Sequence, residues 1–271
     1  MTFESRELSI ADGRPIRLYE FSRGTQRWLY TNAALDVVNQ NRTFSSYKGI
    51  SDDGIRQTGE ASADALTVTA PLTLPLINLY RVYPPSTPVH VTVYDMHLGD
   101  GESVVAWVGT IGDVSRRRNH VRLVCRPLSS DQDTAGLRLT WGPNCPHTLF
   151  DRNCKVDKEL FRVDATLLSV SGNMVSAAAF AGYADHWFSG GFLEWEGESG
   201  LAEQRGIERH TRTDLLLLGG SLEFKTGLAV RGYPGCVGTA QVCDTKFNNS
   251  DNNGGVPGLP GKSPFDGDPI F

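Results

Sequence analysis

The chain has 271 residues, of which 39% are apolar and 21% charged, as is ordinary for a folded protein. At roughly 150 residues per domain, this length predicts about two domains, and such a chain can bury a sizeable core without disulfide or metal staples. The formal net charge of −5 does not favour binding to nucleic acid, so we expect no direct contact with it.

The sequence suggests neither a secretory signal nor a membrane span. The N-terminus carries Glu4, Arg6 and Glu7 without an apolar stretch, and no run approaches the roughly 18 apolar residues of a transmembrane helix. We therefore expect the protein to be made in a host cytoplasm. In that compartment paired cysteines are more often metal ligands or catalytic groups than disulfides.

Short runs of alternating polarity between glycines and prolines indicate a mainly β protein with few helices. The Gly172-Asn173 pair predicts a tight hairpin turn between residues 161–171 and 174–180. The best helix signal covers residues 32–38. Further strands are expected at residues 89–94, 104–111, 120–125, 192–195, 206–210 and 213–218.

Composition predicts three segments. We expect a first β domain at residues 1–128 and a second, with most of the cysteines, at residues 129–244, because residues 129–136 are polar and rich in turn formers. Residues 245–271 are dense in Asn, Gly and Pro and predict an irregular tail, of which residues 248–271 are expected to be mobile in isolation. Phe265 and Phe271 are its expected anchors on a neighbouring subunit.

Four of the five cysteines fall into two pairs. Eight residues separate Cys145 from Cys154, and six separate Cys236 from Cys243. Four thiolates are the ligand set of a structural zinc ion or a [4Fe–4S] cluster. These loops are longer than those of zinc ribbons, which favours the cluster among metal centres. Spacing alone leaves disulfides and plain buried thiols open.

Two further side chains near this pattern have simpler interpretations. Cys125 shares a predicted strand face with Val121 and Leu123, so we expect a small buried hydrophobe. His147 follows Cys145 by two residues and is expected to stabilise a turn, although a ligand or a hydrogen-bond donor to a ligand is the alternative.

Segments spread along most of the chain carry a resemblance to a known family. They are LYEFSRGTQRWLYTNA at 18–33, LTVTAPLTLPL at 66–76, PVHVTVYDMHLGDGE at 88–102, VRLVCRPL at 121–128, CPHTLFDRNCKVD at 145–157, FSGGFLEWEGESG at 188–200 and PGCVGTAQVCDTKFNNSDNNGGVPGLPG at 234–261. These segments resemble the phage tail proteins of the BR0599-type family, a group that includes the tail hub of gene-transfer agents. The cysteine pattern is also similar to that of the lambda tail-tip protein, which holds a [4Fe–4S] cluster.

The resemblance implies a structural, non-catalytic baseplate hub in the virion tail tip, joining the tail tube to the distal tip as a homotrimeric ring. It implies tail-tube-like β-barrel or sandwich domains and a cluster-binding C-terminal region. The implied partners are the distal tail protein, a second hub or central fibre protein and the tape measure protein. The implied [4Fe–4S] ligands are Cys145, Cys154, Cys236 and Cys243.

The sequence also departs from these relatives, and two other functions stay open. Residues 155–235 form a longer stretch than in the lambda protein, and SDNNGGVPG at 250–258 lacks an aromatic residue usual in the family. The first alternative is an iron–sulfur redox protein. The second is a tail-associated hydrolase using paired carboxylates among Glu194, Glu196 and Glu198, for which a charged strand edge is the simpler interpretation.

Overall fold

The computed structural model describes residues 3–9, 11, 13–56, 58–60, 64–133, 136 and 141–259. Its contacts divide the chain into two compact units, Met1–Thr134 and Ala135–Phe271. The mainly β prediction is confirmed, because α-helix in the described residues is limited to α1 (Phe3–Glu7) and α2 (Ala240–Phe247). No described helix is long and apolar enough to span a membrane.

The first unit is built on one sheet of nine strands. In chain order they are β1 (Pro15–Arg23), β2 (Gln26–Thr31), β3 (Val37–Asn39), β4 (Arg42–Ser46), β5 (Ser51–Asp52), β6 (Leu66–Pro71), β7 (His90–His97), β8 (Ser103–Arg116) and β9 (His120–Pro127). Their order across the sheet is β3-β4-β2-β1-β7-β8-β9-β6-β5. Neighbouring strands run antiparallel except β2 and β4, which are parallel.

This sheet curves until its far edge returns to β1. The Tyr19 hydroxyl of β1 donates a 2.6 Å hydrogen bond to Asp52 of β5, and Arg17 forms an ion pair with the same carboxylate. Four strands separate β1 from β5 along the sheet order, so these contacts require strong curvature. Alternate side chains of each strand fill the enclosed core, as the period-2 pattern predicts. Its fully buried members include Phe21, Val68, Val91, Val93, Val121, Leu123 and Cys125.

The helix predicted at residues 32–38 is wrong. Within that segment Val37 begins strand β3, where Val37 and Asn39 are buried and Val38 is exposed. Gln40 and Asn41 both have positive φ, 49° and 60°, and turn the chain directly into β4. A two-residue turn with two positive φ angles matches the right-handed twist of an antiparallel pair. Pairing with β4 therefore outweighs the local helical preference.

The second unit contains a seven-stranded sheet in which every pair is antiparallel. Its strands are β10 (Val163–Thr166), β11 (Ser169–Ser171), β12 (Met174–Ser176), β13 (Phe192–Glu196), β14 (Ala202–Thr211), β15 (Asp214–Leu217) and β16 (Ala229–Tyr233). The order is β10-β16-β13-β14-β15-β12-β11. Its buried core includes Leu167, Phe180, Phe188, Leu193, Trp195, Ile207, Leu215, Leu217 and Val230.

The tight turn predicted at Gly172-Asn173 is confirmed, with Ser171 paired to Met174 across it. The strands on either side are shorter than the pattern suggested. On one side β10 leaves the hairpin to pair with β16, and on the other Ala178–Gly182 forms a 3₁₀ turn. The last strand, β16, then leads towards the third cysteine.

Candidate metal centre

The first cysteine pair lies on a loop stabilised by one aspartate. The Asp151 carboxylate accepts backbone N–H bonds from Thr148 (3.2 Å), Asn153 (2.8 Å) and Cys154 (2.6 Å). These bonds, the one from Cys154 first among them, hold the pKa of Asp151 below its usual value. An Asx-type turn of this kind fixes the loop backbone without a helix or strand. The DRNC sequence therefore fixes the direction in which Cys154 enters the site.

The second pair is carried by β16 and α2. After β16 the chain passes so close to a neighbouring loop that a side chain at Gly235 would lie 2.6 Å from the carbonyl carbon of Gly190. Cys236 follows directly. Thr239 then caps α2, its hydroxyl accepting the Val242 N–H at 3.3 Å, and Cys243 lies buried in the first turns of that helix.

The two loops meet around a small apolar cluster. The Cys145 N–H donates to the Gly238 carbonyl at 2.7 Å, which joins the start of one loop to the other. Cys154 packs with Phe247, whose ring contacts that of Phe161 at a centroid distance of 5.1 Å. The loops are therefore packed as one body within the second unit.

The structure brings the four predicted cysteines into one region. Burial raises the pKa of the Cys243 thiol, and the charges of Cys236, Cys145 and Cys154 add to the rise. Cys154 and Cys236 also belong to one apolar cluster, and Asn249 contacts the sulfurs of both Cys154 and Cys243. All four are free thiols. Cys154 and Cys243 are buried, whereas Cys145 and Cys236 are partly exposed.

Backbone amides already point at two of these sulfurs. The Gly238 N–H donates to Cys236 Sγ at 3.3 Å, and the Gly254 N–H donates to Cys145 Sγ at 3.3 Å. Amide donors of this kind commonly surround the sulfur ligands of metal centres. Within the described ranges, no three His, Cys, Asp or Glu side chains converge as they would around a single metal ion.

Lys246 is a part of the site that sequence reasoning missed. Its ammonium donates to the carbonyls of Trp187 (2.6 Å) and Gly235 (2.8 Å) and lies 4.4 Å from the centre of the Trp187 ring. Burial lowers its pKa to about 8. The side chain ties α2 to the segment just before Cys236 and places a cation near that thiol. The signal available in the sequence was that Lys246 follows Cys243 by three residues, a separation that places two side chains on the same face of a helix.

Cys125 and Glu194, which the sequence also brought forward, have other surroundings. Cys125 is fully buried in the first unit, where burial raises the pKa of its thiol to about 12. Glu194 is buried and faces Lys158 at 2.8 Å and Arg231 at 3.3 Å. Its carboxylate is thus ion-paired with two cations, and it lines a cavity together with Asp164 and Glu196.

The segment predicted as a mobile tail is packed for part of its length. Residues 248–259 lie against the cysteine loops, with the Val256 N–H donating to the Gly142 carbonyl at 2.9 Å. The predicted anchors Phe265 and Phe271 fall outside the described residues, so their docking on a neighbour stays a prediction. The sequence could not assign Asn249 and Gly254 to this site, because their partners lie about a hundred residues earlier in the chain.

Comparisons with known proteins agree with this architecture. Residues 17–157 match the family model described as "Baseplate hub protein, N-terminal attachment domain". Residues 186–263 match the model "Phage conserved hypothetical protein BR0599". An uncharacterized protein of Xylella fastidiosa (strain 9a5c) is 28% identical over 178 residues, which are 60% of this chain and 37% of that relative.

A solved chain described as "Virion of native gene transfer agent (GTA) particle" has a similar fold, with a TM-score of 0.78 at 22% identity. The likeness covers 99% of this chain and 96% of that one. The first family model alone spans more than half of the sequence. The chain therefore belongs to the baseplate hub protein family defined by the N-terminal attachment domain.

Proposed function

We propose that this chain is a structural subunit of the baseplate hub at the tail tip of a long-tailed phage or phage-like particle. The observation that carries the proposal is the baseplate hub match over residues 17–157. The fold likeness to a chain of a gene transfer agent virion supports it along nearly the whole length. In this role the protein joins the tail tube to the distal tip as a homotrimeric ring and contacts other tail proteins.

Removal of the gene from the particle-producing strain tests this role. Particles made without the chain should lack infectivity, and the wild-type gene supplied in trans should restore it. Mass spectrometry of the restored, purified tails should detect the chain as a stoichiometric component. A normal yield of infectious particles without the gene would contradict the proposal.

We further propose that Cys145, Cys154, Cys236 and Cys243 hold a structural [4Fe–4S] cluster. The donor set fits: four free thiols lie in one region, and backbone amides donate to two of the sulfurs. A cubane cluster binds each thiolate at its own iron corner, so its ligands do not converge on one point. When bound, the cluster would crosslink four points of the chain and restrict the unfolded state.

Anaerobic purification from iron-replete cells tests the cluster. The protein should be brown and carry about four irons per chain, as expected for a Cys₄ cubane centre. The Cys125→Ser variant is the matched control and should carry the same iron, since Cys125 lies in the first unit. Colourless protein with stoichiometric zinc would contradict the iron assignment.

A further inference from the structure

The segment after α2 folds back over the cysteine site. The helix ends at Phe247, and its C-cap residue Asn248, with a φ of 47°, turns the chain. We call the following residues 248–259 the strap. The Asn249 side-chain amide donates to the Cys154 carbonyl at 2.6 Å, and the Asn249 carbonyl accepts from Cys243 Sγ at 3.1 Å. The strap thus contacts elements of both cysteine pairs.

The strap then crosses the loop of the first cysteine. The Gly254 N–H reaches Cys145 Sγ at 3.3 Å, and the Val256 N–H bonds to the Gly142 carbonyl at 2.9 Å. Three of the four thiols therefore have a hydrogen bond or a direct neighbour in this one segment.

Backbone crowding requires glycine at position 255 of the strap. A Cβ on Gly255 would lie 2.8 Å from the backbone nitrogen of Cys145 and from the backbone of Asn144, which cannot move aside as a flexible side chain can. A Cβ on Gly254 would overlap the ring of His147. By contrast, a Cβ on Gly258 would meet nothing within 4 Å. Close backbone approach is one of the few reasons that demand glycine.

We infer that the strap is part of the metal centre, in which the close backbone approach at Gly255 positions the Gly254 N–H as a donor to Cys145. The inference rests on the proposed [4Fe–4S] cluster. Hydrogen bonds to the sulfurs and solvent exposure both set the potential of such clusters. Groups that orient and cover metal ligands commonly change metal retention by 10- to 100-fold when they are removed. The strap therefore sets cluster retention and reduction potential without supplying a ligand.

The test compares Gly255→Ala with Gly258→Ala in the full chain, both purified without oxygen. Gly255→Ala should load iron but release it to a chelator at least about 10-fold faster than wild type. Its reduction potential should fall, because the donor to Cys145 is displaced and the reduced cluster loses stabilisation. Gly258→Ala should match wild type in both measurements. Equal release and equal potential in the two variants would overturn the inference.

A measurement on the wild-type chain keeps the test independent of how well the variant folds. Hydrogen exchange should show the strap protected in the iron-loaded protein and unprotected after iron removal. Strands β14 and β15 serve as the internal reference, because they belong to the sheet core of the same unit. If the backbone amides of the strap exchange equally fast with and without iron, the inference about the strap is overturned and the cluster proposal stands. Wild-type protein that never binds iron would overturn the cluster proposal as well.

Discussion

At the scale of single residues, replacing Cys125 should affect stability far less than replacing one of the other four cysteines. Cys145→Ser or Cys236→Ser should prevent stable folding of the second unit, because loss of a metal centre is among the few mechanisms that cost more than about 4 kcal/mol. Cys125→Ser should cost only about 1 kcal/mol, since the new hydroxyl has the Leu123 carbonyl nearby. Anaerobic thermal unfolding of the three variants, each purified from iron-replete cells, checks this. Equal melting temperatures in all three variants would contradict the division.

Glu194 gives a second test at this scale. Burial alone would raise its pKa, but hydrogen bonds from Lys158 and Gln204 outweigh burial and hold the pKa below its usual value. Glu194→Gln leaves Lys158 and Arg231 without their counter-charge, so the unfolding free energy should fall by about 1–2 kcal/mol at pH 7. Glu196→Gln, on the exposed end of the same strand, should change it by less than about 0.5 kcal/mol.

The pH dependence of the Glu194 effect follows from the lowered pKa. A carboxylate with a depressed folded pKa contributes stability above its unfolded pKa of about 4.3, and that contribution is lost as pH falls through the folded value. The gap between wild type and Glu194→Gln should therefore close below about pH 4. A gap that is constant from pH 7 to pH 3, measured by urea unfolding, would show that the charge is not the cause.

The sequence identified the cysteines but not the groups around them. The two pairs stand out because thiols are rare and their spacing resembles that of a known family. Gly255 carries no such local signal, because the atoms it approaches are fixed by the fold, and Lys246 offers only its spacing of three from Cys243. Gly255 lies in an Asn/Gly-rich run that composition alone marks as irregular, and only the close approach to Cys145 gives it a role.

At the scale of elements, period-2 alternation located most of the strands, while their ends and pairings depended on the rest of the fold. The pattern at 89–94 predicted the first part of β7, yet it could not show that β7 pairs with β1 on one side and β8 on the other. The segment at 32–38 failed because a short apolar run fits a helix and a strand equally well until its turn is known.

The turn between β3 and β4 offers a stability test of that correction. Gln40 has a φ of 49°, a conformation that asparagine tolerates better than glutamine does. Gln40→Asn should raise the unfolding free energy of the first unit by about 0.5 kcal/mol, and Gln40→Val should lower it by 1 kcal/mol or more. Thermal denaturation of both variants checks the sign. If Gln40→Val were as stable as the wild-type protein, the two-residue turn between β3 and β4 would be contradicted.

At the scale of the whole molecule, the chain divides into two compact units, each with a hydrophobic core of its own. The domain boundaries expected after residues 128 and 244 stay predictions. The structure does place residues 245–259 with the second unit, through α2 and the strap. Composition could not reveal this, because three hydrogen bonds to distant backbone and sulfur atoms hold an otherwise polar segment.

The division of the C-terminal segment leads to a truncation test. A chain ending at Leu259 keeps the strap and should retain its iron, whereas it loses Phe265 and Phe271, the predicted anchors on a neighbouring tail subunit. The truncated protein should be soluble and brown but should fail to enter tails. Particles that incorporate the truncated chain at the wild-type level would contradict the anchor prediction and leave the strap intact.

The central claim is that this chain is a baseplate hub subunit, and a density map of purified tails at subunit resolution tests it most directly. The account predicts a ring of three copies at the distal end of the tail tube, with both sheets of the chain fitting the density. It also predicts compact density for a cluster between the loops of Cys145 and Cys236. Tails whose map has no place for these two units at the distal end of the tube would contradict the account.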